Sequence, residues 1–345
     1  VRIMRSLQSD EIAEPVMAKF AMVAPVIEAT LYSLQVSRVE RLNGYDAVTL
    51  HDLAREFREG SGDAGICFEF AVHEAIATRH PMIWPLASEV LNDFCGISDG
   101  AASILFGPEK DGRIPILESV QDSLTAESRL YVGNAGHPPK LKRYIPQIIN
   151  AFHRQEARAR LPRSITGLWK ADLFIGNPES DKWVGTTVKS RQTGLEGARG
   201  LRVGIYPQVN AADTPRKDDT LNLIRLPLPY DGGFSELYYK SFFLVRAFLK
   251  ADAEVPSHVN LPDAEDRFIT EELQKRRQFP VLEVVEAIRA MSQESLLTTQ
   301  SVESVETSAV LGAGGIEGGT SGESDGTAVS LSPVAHTVPD AQGGA

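Results

Sequence analysis

Apolar residues recur at helical spacing through the first hundred residues, then give way to short apolar runs separated by turn signals. From Glu11 to Leu34 the pattern is helical, but Pro15 and Pro25 interrupt it and predict separate pieces or a kink. Thr49 is placed to cap a helix running through Glu56. Asp63 opens another to about Thr78, in which Phe68, Val72 and Ile76 recur every four residues. Pro85 to Phe94 reads as one more helix. After Ala102 the runs ASILFG, RIPILES and RLYVG have strand length and lie between Gly- and Pro-rich turns. Pro146 to Leu161 reads as a basic helix with its proline in the first turn. Four strand candidates follow at 171–176, 183–190, 201–207 and 222–228. An aromatic-rich helix over Phe234–Leu249 comes next, and one or two helices over Ala264–Met291 are interrupted at Pro280.

Helices, then clustered strands, then helices predict an α/β chain, an α+β arrangement around one mixed sheet. Residues 1–96 form the helical N-terminal region, and 97–295 form the mixed-sheet core with its flanking helices. Residues 296–345 hold nine glycines and no Lys, Arg or aromatic residue, which predicts a disordered tail. Several familiar patterns fail on context. GISDG around Ser98 and GESDG in the tail match GxSxG, but neither lies between a strand and a helix. His73-Glu74 begins a zinc-protease pattern that stops at Ala77, and there is no P-loop.

Composition narrows the setting. At 42% hydrophobic and 23% charged residues the chain is ordinary for a soluble domain. No apolar run approaches the roughly 20 residues of a membrane helix, and Val1–Asp10 lacks the apolar centre of a secretory signal. Cys67 and Cys95 show no CxxC spacing and fit a reducing compartment. The expectation is a cytoplasmic protein with no membrane partner. A net charge of −11 argues against nucleic acid until its distribution is read. Lys140 to Arg202 carries 13 basic residues against 5 acidic ones. Lys142, Arg143, Arg154, Arg158, Arg160 and Arg163 thus form either a solvated helix face or an electrostatic footprint for a polyanion.

The richest chemistry lies in KADLFIGNPESDKWVGTTVKSR, Lys170 to Arg191. Asn177-Pro178 turns between two apolar runs and predicts a hairpin. Asp172 starts the first strand, where Asp is disfavoured. Lys189 ends the second, where a covered sheet makes an ammonium group costly. A carboxylate at that position can hold a divalent metal, and the lysine can orient or deprotonate an attacking water and steady phosphate charge. Local alternatives exist, since Asp172 can pair with neighbours and Lys189 can snorkel from an edge strand.

Asp172, the turn and Thr187-Val188-Lys189 resemble the D…(D/E)xK signature of the PD-(D/E)XK nuclease superfamily, the restriction-endonuclease-like fold. GICFEFAVHEAI, residues 65–76, resembles the G..FE..V pattern of its Mrr-like members and nominates Glu69 as the helix glutamate. Glu156 is the alternative. The resemblance implies a restriction-endonuclease-like core with a lobe inserted between Glu69 and Asp172. It further implies Mg²⁺ or Mn²⁺ held by Asp172, Glu69 and the Val188 carbonyl, with Lys189 positioning water. Thr187 stands where the superfamily carries its second acid and would hydrogen-bond within the site. The implied activity is metal-dependent hydrolysis of phosphodiester bonds in double-stranded DNA, in restriction or defence, with a homodimer left open. Loss of the acid at Thr187 keeps a second reading alive, a non-catalytic nucleic-acid-binding or scaffold protein on a degenerate nuclease core.

Overall fold

Seven strands form one mixed sheet in the order β1-β3-β4-β5-β7-β6, with β2 joined to β4. They are β1 Ala102–Leu105, β2 Arg129–Leu130, β3 Leu173–Asn177, β4 Lys182–Val188, β5 Arg202–Pro207, β6 Arg216–Asp218 and β7 Leu223–Leu228. The computed structural model describes residues 14–58, 60, 63–112, 120–133, 138–196, 200, 202–210, 212–230, 233–255, 261 and 263–292. The RIPILES run and the tail 296–345 lie outside the described residues. β1, β3 and β4 pair antiparallel, whereas β4, β5 and β7 run parallel. The antiparallel half therefore presents the start of β3 beside the end of β4, at the edge where β5 and β7 also end.

The β3–β4 hairpin forms as its sequence predicts. The Asn177 side-chain oxygen accepts the backbone N–H groups of Glu179 at 2.7 Å and Ser180 at 3.4 Å, and Asp181 takes a left-handed φ of 52°. Every residue of β3 is buried, as is every residue of β4 after Lys182, because both faces of the sheet are covered. Leu173, Ile175, Val184 and Val188 join the main core; Phe174 and Trp183 join a second cluster built largely from the segment between β1 and β3. Within that segment Phe106, Leu141, Ile145 and Ile148 are buried in one cluster with Phe174 of β3. Gly176 has no room for a side chain, since a Cβ there would lie 2.1 Å from the Lys182 carbonyl oxygen. Gly176→Ala should cost about 1–3 kcal/mol through backbone displacement. Equilibrium urea unfolding measures it, and an unchanged midpoint would contradict it.

Helix α1, Glu14–Ser33, corrects one expectation, because it runs through Pro25 without breaking. Its turns are buried on nearly all sides against α3, Asp63–Ala77, and α7, Phe234–Lys250, and this packing offsets the hydrogen bond that proline removes. It is also more apolar than expected. Among the described residues, Val16–Ser33 is long and apolar enough to cross a membrane, yet 78% of it is buried inside the protein. Helix α2, Leu50–Glu56, starts at the expected cap, where Thr49 accepts the Asp52 N–H and the Asp52 carboxylate accepts the Thr49 N–H. Helix α4, Trp84–Cys95, is followed by β1 and then by α5, Gly107–Lys110, a single turn. The predicted basic helix is shorter than expected. α6 covers Ile145–His153 and stops at Arg154, whose backbone is extended. Helix α8, Ala264–Lys275, and a last helix, 281–292, flank Pro280 as predicted. The described residues all fall in one compact unit, Val1–Ser295.

Candidate functional site

Asp172 sits just before β3, pinned by its own peptide groups. Its N–H donates to the Thr186 carbonyl at 2.8 Å, and its carbonyl accepts from Phe106 at 2.9 Å and Gly107 at 3.0 Å. Its buried carboxylate gathers donors from two directions. Oδ2 accepts the Thr187 hydroxyl at 3.1 Å, the Val188 N–H at 3.0 Å and the Lys189 ammonium at 3.1 Å. Oδ1 faces the Lys110 ammonium at 3.4 Å. Glu69 arrives from α3, with Oε1 3.9 Å from Lys189 Nζ. Glu69, Lys110 and Asp172 border a cavity of about 190 Å³ that Ile66 and Phe152 also help to line.

Packing explains why each side chain points inward. α3 packs on β1 and β4, which brings Glu69 to the sheet edge. Gly107 lies beside it, where even a Cβ would make ordinary contact with Glu69 Oε2 at 3.4 Å. Lys110 is only 4% exposed and lies over the rings of Phe106 at 5.5 Å and Phe152 at 5.1 Å. Thr187 and Val188 close β4 in parallel register with Gly204 and Ile205, and Lys189 continues the ladder by donating to the Ile205 carbonyl.

The cluster shifts the protons of its members. Burial, reinforced by the Asp172 charge, holds the Glu69 carboxyl well above the usual carboxylate range. Burial alone would lower Lys189. The carboxylates of Asp172 and Glu69 override it and hold the ammonium above its ordinary value. Both carboxylates thus favour the protonated, charged form of Lys189.

Three segments far apart in sequence thus meet at one point. Glu69, Asp172, Thr187, Val188 and Lys189 come together as nominated, whereas Glu156 is exposed on the short helix after α6. Two of the nominated basic residues have intramolecular duties. Lys142 donates to the Leu124 carbonyl at 2.7 Å, and Arg158 stacks on Trp169 at 3.7 Å while bonding the Ala151 carbonyl. Arg143, Arg154, Arg160 and Arg163 are exposed. Sequence reasoning missed Lys110 entirely, together with the buried Arg202, whose guanidinium burial holds below its usual range although the Asp172 and Glu196 charges favour it. The signal for Lys110 was faint: a lysine in a glycine-proline turn reads as surface.

No protein-family model, curated protein or solved structure matches this chain. Function is therefore read from the site itself. Among the described residues no three His, Cys, Asp or Glu side chains cluster to hold a metal. Mg²⁺ asks for less, commonly one or two carboxylates with water and substrate phosphate completing its shell. Glu69 and Asp172 meet that requirement. The Val188 carbonyl shares the strand edge that turns its N–H to Asp172. The donor set fits a divalent cation on condition that an ammonium leaves Asp172.

Proposed function

We propose that this chain is a metal-dependent nuclease that hydrolyses phosphodiester bonds in DNA on a restriction-endonuclease-like core, in cytoplasmic restriction or defence. The observation that carries the reading is the meeting of Glu69, Asp172, Thr187 and Lys189 at one sheet edge, from segments about a hundred residues apart. Their order along the chain, a helix glutamate, then a strand-initial aspartate, then a hairpin ending in Thr-x-Lys, is the order that the superfamily resemblance requires. A divalent cation held by Asp172, Glu69 and the Val188 carbonyl would supply Lewis acidity to a scissile phosphate.

The chain's own groups do the remainder. Thr187 and the Val188 N–H hold Asp172 Oδ2, so the carboxylate keeps its orientation when an ammonium leaves. Lys189 presents a fixed positive charge to the attacking water and the phosphate oxygens. Lys110, released from Oδ1, would turn into the site cavity that it helps to line and meet a second phosphate oxygen there. Phe152 lines this cavity at the end of α6, and exposed Arg154 follows two residues later. Arg154 thus stands near the Lys110 side of the site, and a DNA backbone lying there would meet it first.

Purified protein should nick or linearise plasmid with Mg²⁺ or Mn²⁺ and leave it intact with EDTA. Changing Arg143, Arg154, Arg160 and Arg163 together to Ala should weaken DNA binding and reduce its salt slope by about 0.9 for each phosphate no longer neutralised. An unchanged slope would make these arginines an ordinary solvated face.

One observation favours the second reading. Two ammonium groups already balance two carboxylates, and Thr187 contributes no charge, so the cluster attracts a divalent cation less than an acid-rich site does. A binding protein on a degenerate core would hold DNA equally with and without metal and never cut it.

A further inference from the structure

A second concavity opens on the Lys189 side of Asp172. It is a groove of about 930 Å³ at the carboxyl ends of β4, β5 and β7. In sheets with parallel strands this edge is where ligands collect. Ser190 and Arg191, the residues directly after Lys189, form one wall, so groove and candidate site share the end of β4. Tyr230 and Phe243 line it, and the Tyr239 hydroxyl donates to the Ser190 carbonyl at 3.0 Å, fixing that wall.

The groove is unusual for this molecule in two ways. Six large hydrophobic side chains stand exposed among the described residues, and three of them, Val209 at 65%, Phe243 at 57% and Tyr230 at 42%, line this one feature. Its described lining also holds one cation, Arg191, and no carboxylate, in a chain of net charge −11. Aromatic faces beside a lone arginine and uncharged amides suit bases joined by phosphates. They suit paired DNA poorly, because a duplex hides its base faces in the stack.

We infer that this groove seats unstacked bases of a single-stranded stretch of the nucleic-acid substrate. Tyr230 and Phe243 serve as stacking platforms and Arg191 meets the backbone. The inference rests on the proposed nuclease reading and narrows its substrate to DNA carrying an unpaired segment beside the scissile phosphate. The strand would run from the Lys189 end of the site along the ends of β5 and β7.

The test uses full-length protein and two oligonucleotides of the same 12-nucleotide sequence, one single-stranded and one as a blunt duplex, each carrying 2-aminopurine. Wild type should bind the single strand more tightly and change the probe's emission as the base stacks. Tyr230→Ala and Phe243→Ala should each weaken single-strand binding by roughly fivefold to a hundredfold, the range of one missing base–aromatic stack. Duplex affinity should stay unchanged, and Tyr230→Phe should restore the single-strand value. Thermal melts check that each variant is folded. Equal affinity for both oligonucleotides, or variants that leave the single-strand affinity unchanged, overturns the inference. So does competition by free deoxyadenosine monophosphate at the affinity of the 12-mer, which would make the groove a mononucleotide site. Plasmid cleavage by wild type with an unaltered single-strand preference in the variants sinks the groove and spares the nuclease. A Tyr230-dependent emission change in a protein that never cuts spares the groove and sinks the nuclease.

Discussion

Asp172→Asn is expected to abolish metal-dependent cleavage and to destabilise the metal-free protein by several kcal/mol. Both effects have one cause. The Asp172 carboxylate is the counter-charge for Lys110, which is buried, and for Lys189, which is partly exposed. Removing one partner of a buried pair typically costs about 3–5 kcal/mol, because the other charge stays uncompensated. Lys110→Met should recover part of that loss in the double variant, since it removes the stranded ammonium. Lys189→Met, with its solvent-reaching chain, should fold normally and bind Mn²⁺ nearly as wild type. It should still lose about 10²–10³-fold in rate, the scale of one missing electrostatic catalyst. Thr187→Glu tests the charge balance directly. A third carboxylate beside two ammonium groups should tighten Mn²⁺ binding, read by titration calorimetry. A wild-type sample inert on DNA with both metals, and a Thr187→Glu variant equally inert, would retire the catalytic reading.

The second large effect concerns acid. His73 lies on α3 one turn beyond Glu69, and its Nδ1 is 2.9 Å from the Ser103 hydroxyl. Burial, aided by the Arg289 charge, lowers its pKa from 6.5 to about 4. The folded protein thus binds this proton less readily than the unfolded chain. Its contribution to stability is complete above pH 6.5 and is lost as pH falls from 6.5 toward 4. The loss amounts to about 3 kcal/mol, taking 1.36 kcal/mol per pH unit. Glu28, paired with Arg289, lines a cavity of about 130 Å³ together with His73, and burial raises its carboxyl. Glu28 and Glu69 therefore push the other way, since each raised carboxyl favours the folded state as pH falls. The difference between wild type and His73→Gln isolates the imidazole. That difference should grow by about 3 kcal/mol from pH 4 to pH 7 in urea titrations. A constant difference would mean that His73 titrates alike in both states.

The parts of this fold legible in sequence are those governed by local pattern. The β3–β4 hairpin is legible because Asn177 makes its turn with its own side chain, and α2 because Thr49 and Asp52 cap each other. α1 departs from its pattern at Pro25, where packing from two distant helices outweighs a local penalty. Glu69 and Asp172 are paired in sequence only through a resemblance, since no spacing rule links residues a hundred positions apart. Lys110 is invisible for the same reason: its significance comes from Asp172, which lies 62 positions away. Arg158 reads as an open phosphate contact until Trp169 takes it. Charge shows in sequence, but what neutralises it is set by tertiary structure.

The carbonyl of Asp172, accepting the amides of Phe106 and Gly107, ties the turn after β1 to the aspartate by main chain alone. Every residue except proline carries that N–H, so the strap is indifferent to which side chains stand there. This main-chain tie holds the aspartate in register whatever side chain stands at 106, while Lys110 in the same turn adds a tie that does depend on its side chain. Backbone geometry can thus fix where a carboxylate sits without leaving any mark in the letters on either side of it.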